Sequence, residues 1–407
     1  MSFASWQRNA ALTAAITGLT APAFAQDGGG TRVDFSGFAM LDMGYQANQN
    51  DKDWFDVVRP TKLPSFEDEF APDGNWFAGV RQSRFGVRSY TPTEAGELRT
   101  IFEFELFGTG VDAGQTTFRL RHAWGELGKL GAGQTWSPFM DIDVFPNSIE
   151  YWGPNGMVFF RNVQLRYTPW QTDSGSRFVV ALERPGASAD QGDYADRIEL
   201  QGVQPHFPMP DISAHYRSVH DWGHFQIAGI LRQMEWEDTV PGPGVVDLSG
   251  DDLGWGVNVS GNLKLGNNVL RLQVVYGEGI QNYMNDAPAD VGIVPNPGNA
   301  VQPILGEALP LLGVVAFIDL NWSAKWTSTV GYSFLDIDNS AGQAPNAFKK
   351  GQYALANLLY HPTSKLFYGP ELQWGDRENF SDGFSSDDVR VQFSVRYDFA
   401  ASVGGSR

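Results

Sequence analysis

The chain has 407 residues, with 29 Lys and Arg against 47 Asp and Glu for a formal charge of -18, and it is rich in Gly (46), Phe (28), Trp (13) and Tyr (13). It contains no cysteine, which excludes disulfides, thiolate metal centres and thiol catalysis, and suits passage through an oxidising periplasm. Its longest nearly uninterrupted apolar run, Leu309 to Ile318, is far shorter than the roughly 18 residues a spanning helix needs, so any membrane crossing must be made by strands.

Residues 1–25 read as a secretory signal, with Arg8 in the basic start, an apolar stretch from Ala10 to Leu19, and Ala23-Phe24-Ala25 before the expected cut. Arg8 is the only charge in this segment, so its removal takes the formal charge from -18 to -19. Residues 26–32 then form a short periplasmic segment, 33–399 a single barrel, and 400–407 a C-terminal extension.

Strands follow in chain order at 33–45, 76–90, 97–108, 116–125, 129–136, 158–168, 177–185, 211–219, 224–237, 251–265, 269–280, 313–323, 325–337, 351–361, 365–378 and 388–399. Long and short connections alternate between them, and the short ones, such as Asp221-Trp222-Gly223, Gly266-Asn267-Asn268 and Pro362-Thr363-Ser364, have hairpin-turn chemistry. The segment Asp196 to Gln204 also alternates, but counting it would break the even number of strands, so it is assigned to an external loop. The last strand is the clearest. Val389, Val391, Phe393, Val395, Tyr397 and Phe399 share one face, while Arg390, Gln392, Ser394, Arg396 and Asp398 share the other. An apolar face toward lipid and a polar face toward a wet lumen define an all-β fold: a transmembrane antiparallel β-barrel of 16 strands in the bacterial outer membrane, with short periplasmic turns and long extracellular loops.

Parity then distributes the charges. Arg84, Arg88, Arg119, Arg121, Arg166, Arg177, Arg217, Arg232, Arg271, Arg390 and Arg396 turn inward, with Glu103, Glu105, Glu183 and Glu371 among them. The wall is net basic, and the acids that make the chain negative concentrate in or beside external loops. Of these arginines, Arg84, Arg88, Arg119, Arg121, Arg166, Arg390 and Arg396 are assigned to the solute pathway. The third external link, 137–157, carries Asp141, Asp143 and Glu150 and is expected to fold inward as a constriction loop, by analogy with sixteen-stranded porins. Its acids would face the arginines of strands two, four and sixteen and set up a transverse field. Guanidinium forks match planar carboxylates, which suits small organic anions. In the competing arrangement, Glu103 and Glu105 neutralise those arginines in a packed ladder.

The blocks Arg81-Gln82-Ser83-Arg84-Phe85-Gly86, Arg119-Leu120-Arg121-His122-Ala123, Gly133-Gln134-Thr135-Trp136 with Phe139-Met140-Asp141, and Gly153-Pro154 followed by Gln164-Leu165-Arg166-Tyr167-Thr168 resemble the DcaP-like outer-membrane porins. The resemblance implies a trimeric sixteen-stranded channel for negatively charged solutes such as dicarboxylates. Some members carry a periplasmic N-terminal helical extension that has no counterpart here. Gly37 and Ala39, small residues on the apolar face of the first strand, offer a surface for packing between copies.

Other chemistries have little support. His215, His220 and His224 cluster in sequence but share no metal-binding face, and Asp336, Asp338 and Asn339 lack the glycine and glutamate of a calcium loop, so no metal and no cofactor are expected. A lipase-like barrel enzyme would need a Ser or Thr activated by histidine, and His122, placed outward beside Trp124, is the one candidate. A structural or adhesive barrel is the other alternative. The favoured reading is not an enzyme but a porin passing small anions, with outer-membrane lipid and further copies of itself as its partners and no nucleic acid. The loop 281–312, rich in Pro, Asn and Gly, is either a disordered lid or a folded plug.

Overall fold

A computed structural model describes residues 30–240 and 246–404. The expected leader and residues 26–29 lie outside the described residues, as do 405–407. Sixteen antiparallel staves close into a barrel, numbered here in chain order. They are β1 (Arg32–Gln46), β2 (Asn75–Gly79 and Arg84–Thr93), β3 (Gly96–Phe107), β4 (Thr116–Leu127), β5 (Leu130–Trp136), β6 (Arg161–Gln171), β7 (Arg177–Glu183) and β8 (Val203–His206 and Asp211–His220). The circuit continues with β9 (Gly223–Asp238), β10 (Gly250–Leu265), β11 (Asn268–Glu278), β12 (Pro310–Asn321), β13 (Trp326–Ile337), β14 (Phe348–Asn357 and Leu359–Thr363), β15 (Leu366–Asn379) and β16 (Ser385–Gly404). The seam is a ladder between β1 and β16 that runs from Arg32 opposite Gly404 to Gln46 opposite Arg390. Residues 400–404, expected outside the barrel, therefore belong to its last stave.

Among the external loops are L1 (47–74), L3 (137–160) and L6 (279–309). Among the described residues no helix is long and apolar enough to cross a membrane. The crossing is made by strands whose outward residues, such as Val389, Val391, Phe393, Tyr397 and Phe399, are exposed, while Arg390, Gln392 and Ser394 between them are fully buried. Gly37 turns outward as expected. A Cβ there would come within 2.6 Å of the Phe399 ring and 2.2 Å of the Arg84 carbonyl, so the seam's own aromatic fills that space.

Two departures from strict alternation have local causes. Val203–His206 does pair in the sheet, with Asp238 through Glu235 of β9, but it is the upper part of the eighth stave, interrupted at Phe207-Pro208-Met209-Pro210. The even count survives because prolines, which lack an N–H, break the stave without ending it. On β4 the register against β3 slips between Glu103 and Phe104, a β-bulge that places Glu103 opposite His122 and Phe104 opposite Leu120. Beyond it the parity reverses: His122 and Trp124 are buried inside instead of facing lipid. The His122 ring meets the Thr135 hydroxyl at 3.0 Å and the edge of Trp136, which satisfies it as a structural residue.

The interior is not uniformly polar. Inward residues of β9 and β11–β14, including Ala228, Ile230, Val275, Leu311, Val315, Phe317, Leu335 and Leu355, form one apolar cluster with Phe139, Met140, Val144 and Met157 of L3 and Ile280, Tyr283, Met284 and Leu309 of L6. L6 is therefore folded, and contains a hairpin pairing Val291–Pro295 with Ile304–Ala308. Five of the sixteen staves thus carry a packed core on their inner face.

A closed sheet satisfies its backbone groups internally, which makes the barrel resistant to detergent until heated. Unboiled protein is expected to migrate differently from boiled protein on a detergent gel and to give a strand-type circular dichroism spectrum. Identical migration with a helical spectrum would contradict the fold.

Candidate channel lining and constriction

L3 leaves β5 and turns inward because its carboxylates find donors there. At its base, Ser137 donates to Glu183 at 2.6 Å. Asp141 accepts from Arg217 at 3.0 Å, from Ser260 at 2.9 Å and pairs with His224 at 2.7 Å. Asp143 also pairs with Arg217, and its carbonyl accepts from Asn262 at 2.7 Å and from Arg271. Burial pushes the Asp141 carboxyl up, but the His224 bond and the Arg217 charge outweigh it and hold the group well below the usual carboxylate range. Both aspartates therefore bind the β8–β10 wall, and do not face strands two, four and sixteen as expected. A buried carboxylate takes the nearest cations, and these sit on the wall along which the loop first runs.

The tip of L3 reaches the far side. Glu371 of β15 accepts from the backbone N–H of Ile149 at 3.0 Å and of Glu150 at 3.1 Å, and from the Ser148 hydroxyl at 3.1 Å. The Ile149 carbonyl accepts from Gln82 at 2.8 Å and Gln392 at 3.1 Å. Glu150 accepts from the backbone of Val58 and Trp152 and from the Tyr353 hydroxyl at 3.1 Å. Burial pushes its carboxyl up to about 7 against the pull of Arg390 and the Gly153 and Trp152 amides. L3 thus crosses the lumen and is fastened at both ends.

The remaining side of the lumen holds the basic cluster. Glu105 on β3 lies 2.5 Å from Arg121, 3.3 Å from Arg84, 3.7 Å from Arg119 and 3.8 Å from Arg161, and accepts from Tyr151 of L3. Glu103 lies 2.8 Å from Arg121 and 3.6 Å from Arg84, with Arg88 in electrostatic reach. Neutralisation within a ladder is real but partial: four guanidiniums surround two carboxylates, leaving +2. Arg84 and Arg119 keep 27% and 31% of their side-chain surface accessible. Arg121 keeps 5%.

Other inward arginines serve as ties. Arg390 is buried, donates to the Asp56 carbonyl and to Gln392 at 2.6 Å, and lies over Phe77. Arg396 pairs with Asp398 at 2.7 Å and stacks 3.9 Å over Phe38. Arg166 donates to the Trp136 carbonyl and to Gln164, above the Trp124 ring. Arg232 joins Asp211 of β8, Asp290 of L6 and the Gly186 carbonyl, binding two external loops to the wall. Two further ties escaped sequence reasoning. Arg81 sits in the break of β2, pairs with Asp56 at 2.5 Å and donates to the Gly108 carbonyl at 2.9 Å. Arg59 of L1 lies 4.1 Å from both Trp54 and Trp152 and pairs with Asp286 of L6 at 2.8 Å. Strand parity says nothing about residues in breaks and loops.

Asp141, Asp143 and His224 place ligand-type atoms within 4.8 Å of one another. Arg217 bonds both aspartates there, so the cation of this site is a guanidinium and the donor set does not suit a metal. His215 instead meets the Pro138 carbonyl at 2.9 Å and His220 the Ser218 hydroxyl at 2.7 Å, so the three histidines do not converge.

Residues 66–223 match the family model of the DcaP outer membrane protein, the family that the motif blocks resemble. The outer membrane channel DcaP of Acinetobacter baumannii is similar in structure, with a TM-score of 0.75 at 22% identity over 91% of this chain and 97% of that one. The trimer form of OmpT of Vibrio cholerae gives 0.54 at 13% identity, over 91% and 99% of the two chains. An anion-selective porin from Comamonas acidovorans gives 0.55 at 12% identity, over 91% and 100%. No curated protein matches the sequence. At these identities the solved structures establish the fold.

Removing one partner from a buried charge cluster costs roughly 3–5 kcal/mol. Glu105→Gln, which leaves four arginines facing one carboxylate, is expected to lower the urea midpoint for unfolding in detergent by a corresponding amount. An unchanged midpoint would mean the cluster is well solvated.

Proposed function

We propose that this porin-type barrel of the outer membrane, whose residues 66–223 carry the DcaP signature, is a water-filled channel that favours small anionic solutes such as dicarboxylates. The observation that carries the reading is the excess of guanidinium over carboxylate around Glu103 and Glu105, on the side of the lumen opposite the apolar core. Arg84 and Arg119 are its solvent-reached members. Their part-exposed guanidiniums offer donors to a passing carboxylate. Arg88 shares the stave and face of Arg84. The constriction is L3, with Asp141, Asp143 and Glu150 as its fastenings.

Under this proposal the chain is exported by residues 1–25, passes solutes without catalysis, needs no cofactor, and assembles as a homotrimer in outer-membrane lipid. Support for the trimer comes from the family resemblance and from a similar fold solved in trimer form. Light scattering in mild detergent should give three chains per particle, and a persistent monomer would refute that part.

Selectivity is tested by the reversal potential across a bilayer under a salt gradient. A wall charge a few ångströms from a partly desolvated solute contributes on the order of 1 kcal/mol, or about fivefold in permeability. Wild type is expected to favour anions, and Arg84→Ala with Arg119→Ala to reduce the anion-to-cation ratio several-fold while the heat-modifiable band persists. A cation-selective wild-type pore would overturn the proposal.

A further inference from the structure

Glu105 presents two oxygens to four guanidiniums, and the two oxygens are used differently. Oε2 is taken by Arg121 at 2.5 Å, with Arg84 at 3.3 Å. Oε1 is hydrogen-bonded by none of the four: Arg119 Nη1 stands 3.7 Å from it and Arg161 Nη2 3.8 Å, just beyond hydrogen-bond range. The Tyr151 hydroxyl of L3 occupies Oε1 instead. A phenol has one proton and guanidiniums only donate, so this hydroxyl donates to Glu105 and accepts from Arg119 and Arg121, each at 3.4 Å. Among the described residues, that is the single hydrogen bond made by the Arg119 side chain.

The place of the ring does not depend on its hydroxyl. It stacks on Phe107 with centroids 3.8 Å and planes 7° apart, and its chain neighbours Glu150 and Trp152 are bonded to L1 and L6. The two guanidiniums beside it differ in consequence: Arg121, closed on Glu105 Oε2 and 2.8 Å from Glu103, keeps 5% of its side-chain surface, whereas Arg119 keeps 31%. We propose, resting on the anion-favouring reading above, that Tyr151 is a positioning residue of the solute pathway: its hydroxyl satisfies Glu105 Oε1 and so keeps the Arg119 guanidinium open to a passing anion. L3 then sets the charge of the passage as well as its width. Without the hydroxyl, Oε1 is an unfilled acceptor and Arg119 has lost its partner, so the two close into a charge-assisted bond as Arg121 and Oε2 already have. Arg161, 7% accessible and 4.9 Å from the Trp136 ring, is less free to move.

Tyr151→Phe keeps the ring stack and removes only the hydroxyl, so its heat-modifiable band is expected to persist. In reversal-potential measurements its anion-to-cation ratio should fall by about twofold to threefold. In an Arg119→Ala background the same substitution should change the ratio far less, because the effect passes through Arg119. A hydroxyl that merely stabilised L3 would give the same loss in both backgrounds. Phenylglyoxal, which adds to accessible guanidiniums, reads the position of Arg119 without reference to selectivity. Peptide mass spectrometry should find Arg119 modified several-fold more slowly in Tyr151→Phe than in wild type. An equal or faster rate at Arg119, or equal losses in the two backgrounds, would overturn the inference. Labelling does not depend on which ions pass, so a cation-selective wild-type pore would refute the anion reading while the rate at Arg119 still decides what Tyr151 does.

Discussion

Everything in this molecule is arranged around the requirement that backbone N–H and C=O groups in lipid be paired within the protein. The β1–β16 ladder meets it by removing the last free edges, with fifteen residues of each stave in register. Once the sheet is closed, a side chain on a stave has only two destinations. The outward one admits apolar residues, so polar chemistry goes to the lumen or the loops. Breaks in β2 and β8 lie where loops join the wall, at the end where strict pairing is no longer demanded by lipid.

Charge inside such a barrel has to be both solvated and structural. Arg232 binds a neighbouring stave and L6, Arg217 holds two aspartates of L3, and Arg59 binds L1 to L6 between two tryptophan rings. A guanidinium suits this work because its planar fork can satisfy several acceptors at once. The consequence is that few inward arginines remain for solute. Those that do lie beside β3, where two glutamates are outnumbered.

The last stave could be read from sequence because its neighbours are uniform, lipid outside and polar lumen inside. His122 could not, since a bulge one residue upstream reverses the parity and nothing in Arg119-Leu120-Arg121-His122 signals it. The destination of Asp141 and Asp143 depends on which wall the loop follows, a matter of three-dimensional course and not of spacing. One signal was present. In Leu311-Leu312-Gly313-Val314-Val315-Ala316-Phe317-Ile318 both parities are apolar, which fits a stave covered on both faces. That run marks β12, with lipid on one side and L3 and L6 on the other.

The covered part of the wall also sets what loop removal can achieve. Taking out L6 would not simply widen an aqueous passage, because Val275, Leu311, Val315, Leu335 and Leu355 would then line it. Water withdraws from narrow apolar conduits, and ions do not cross the resulting vapour gap. Enlarging this pore by trimming loops would therefore also require polar residues on the inner faces of β11–β14, or the added space would hold little water and add little conductance.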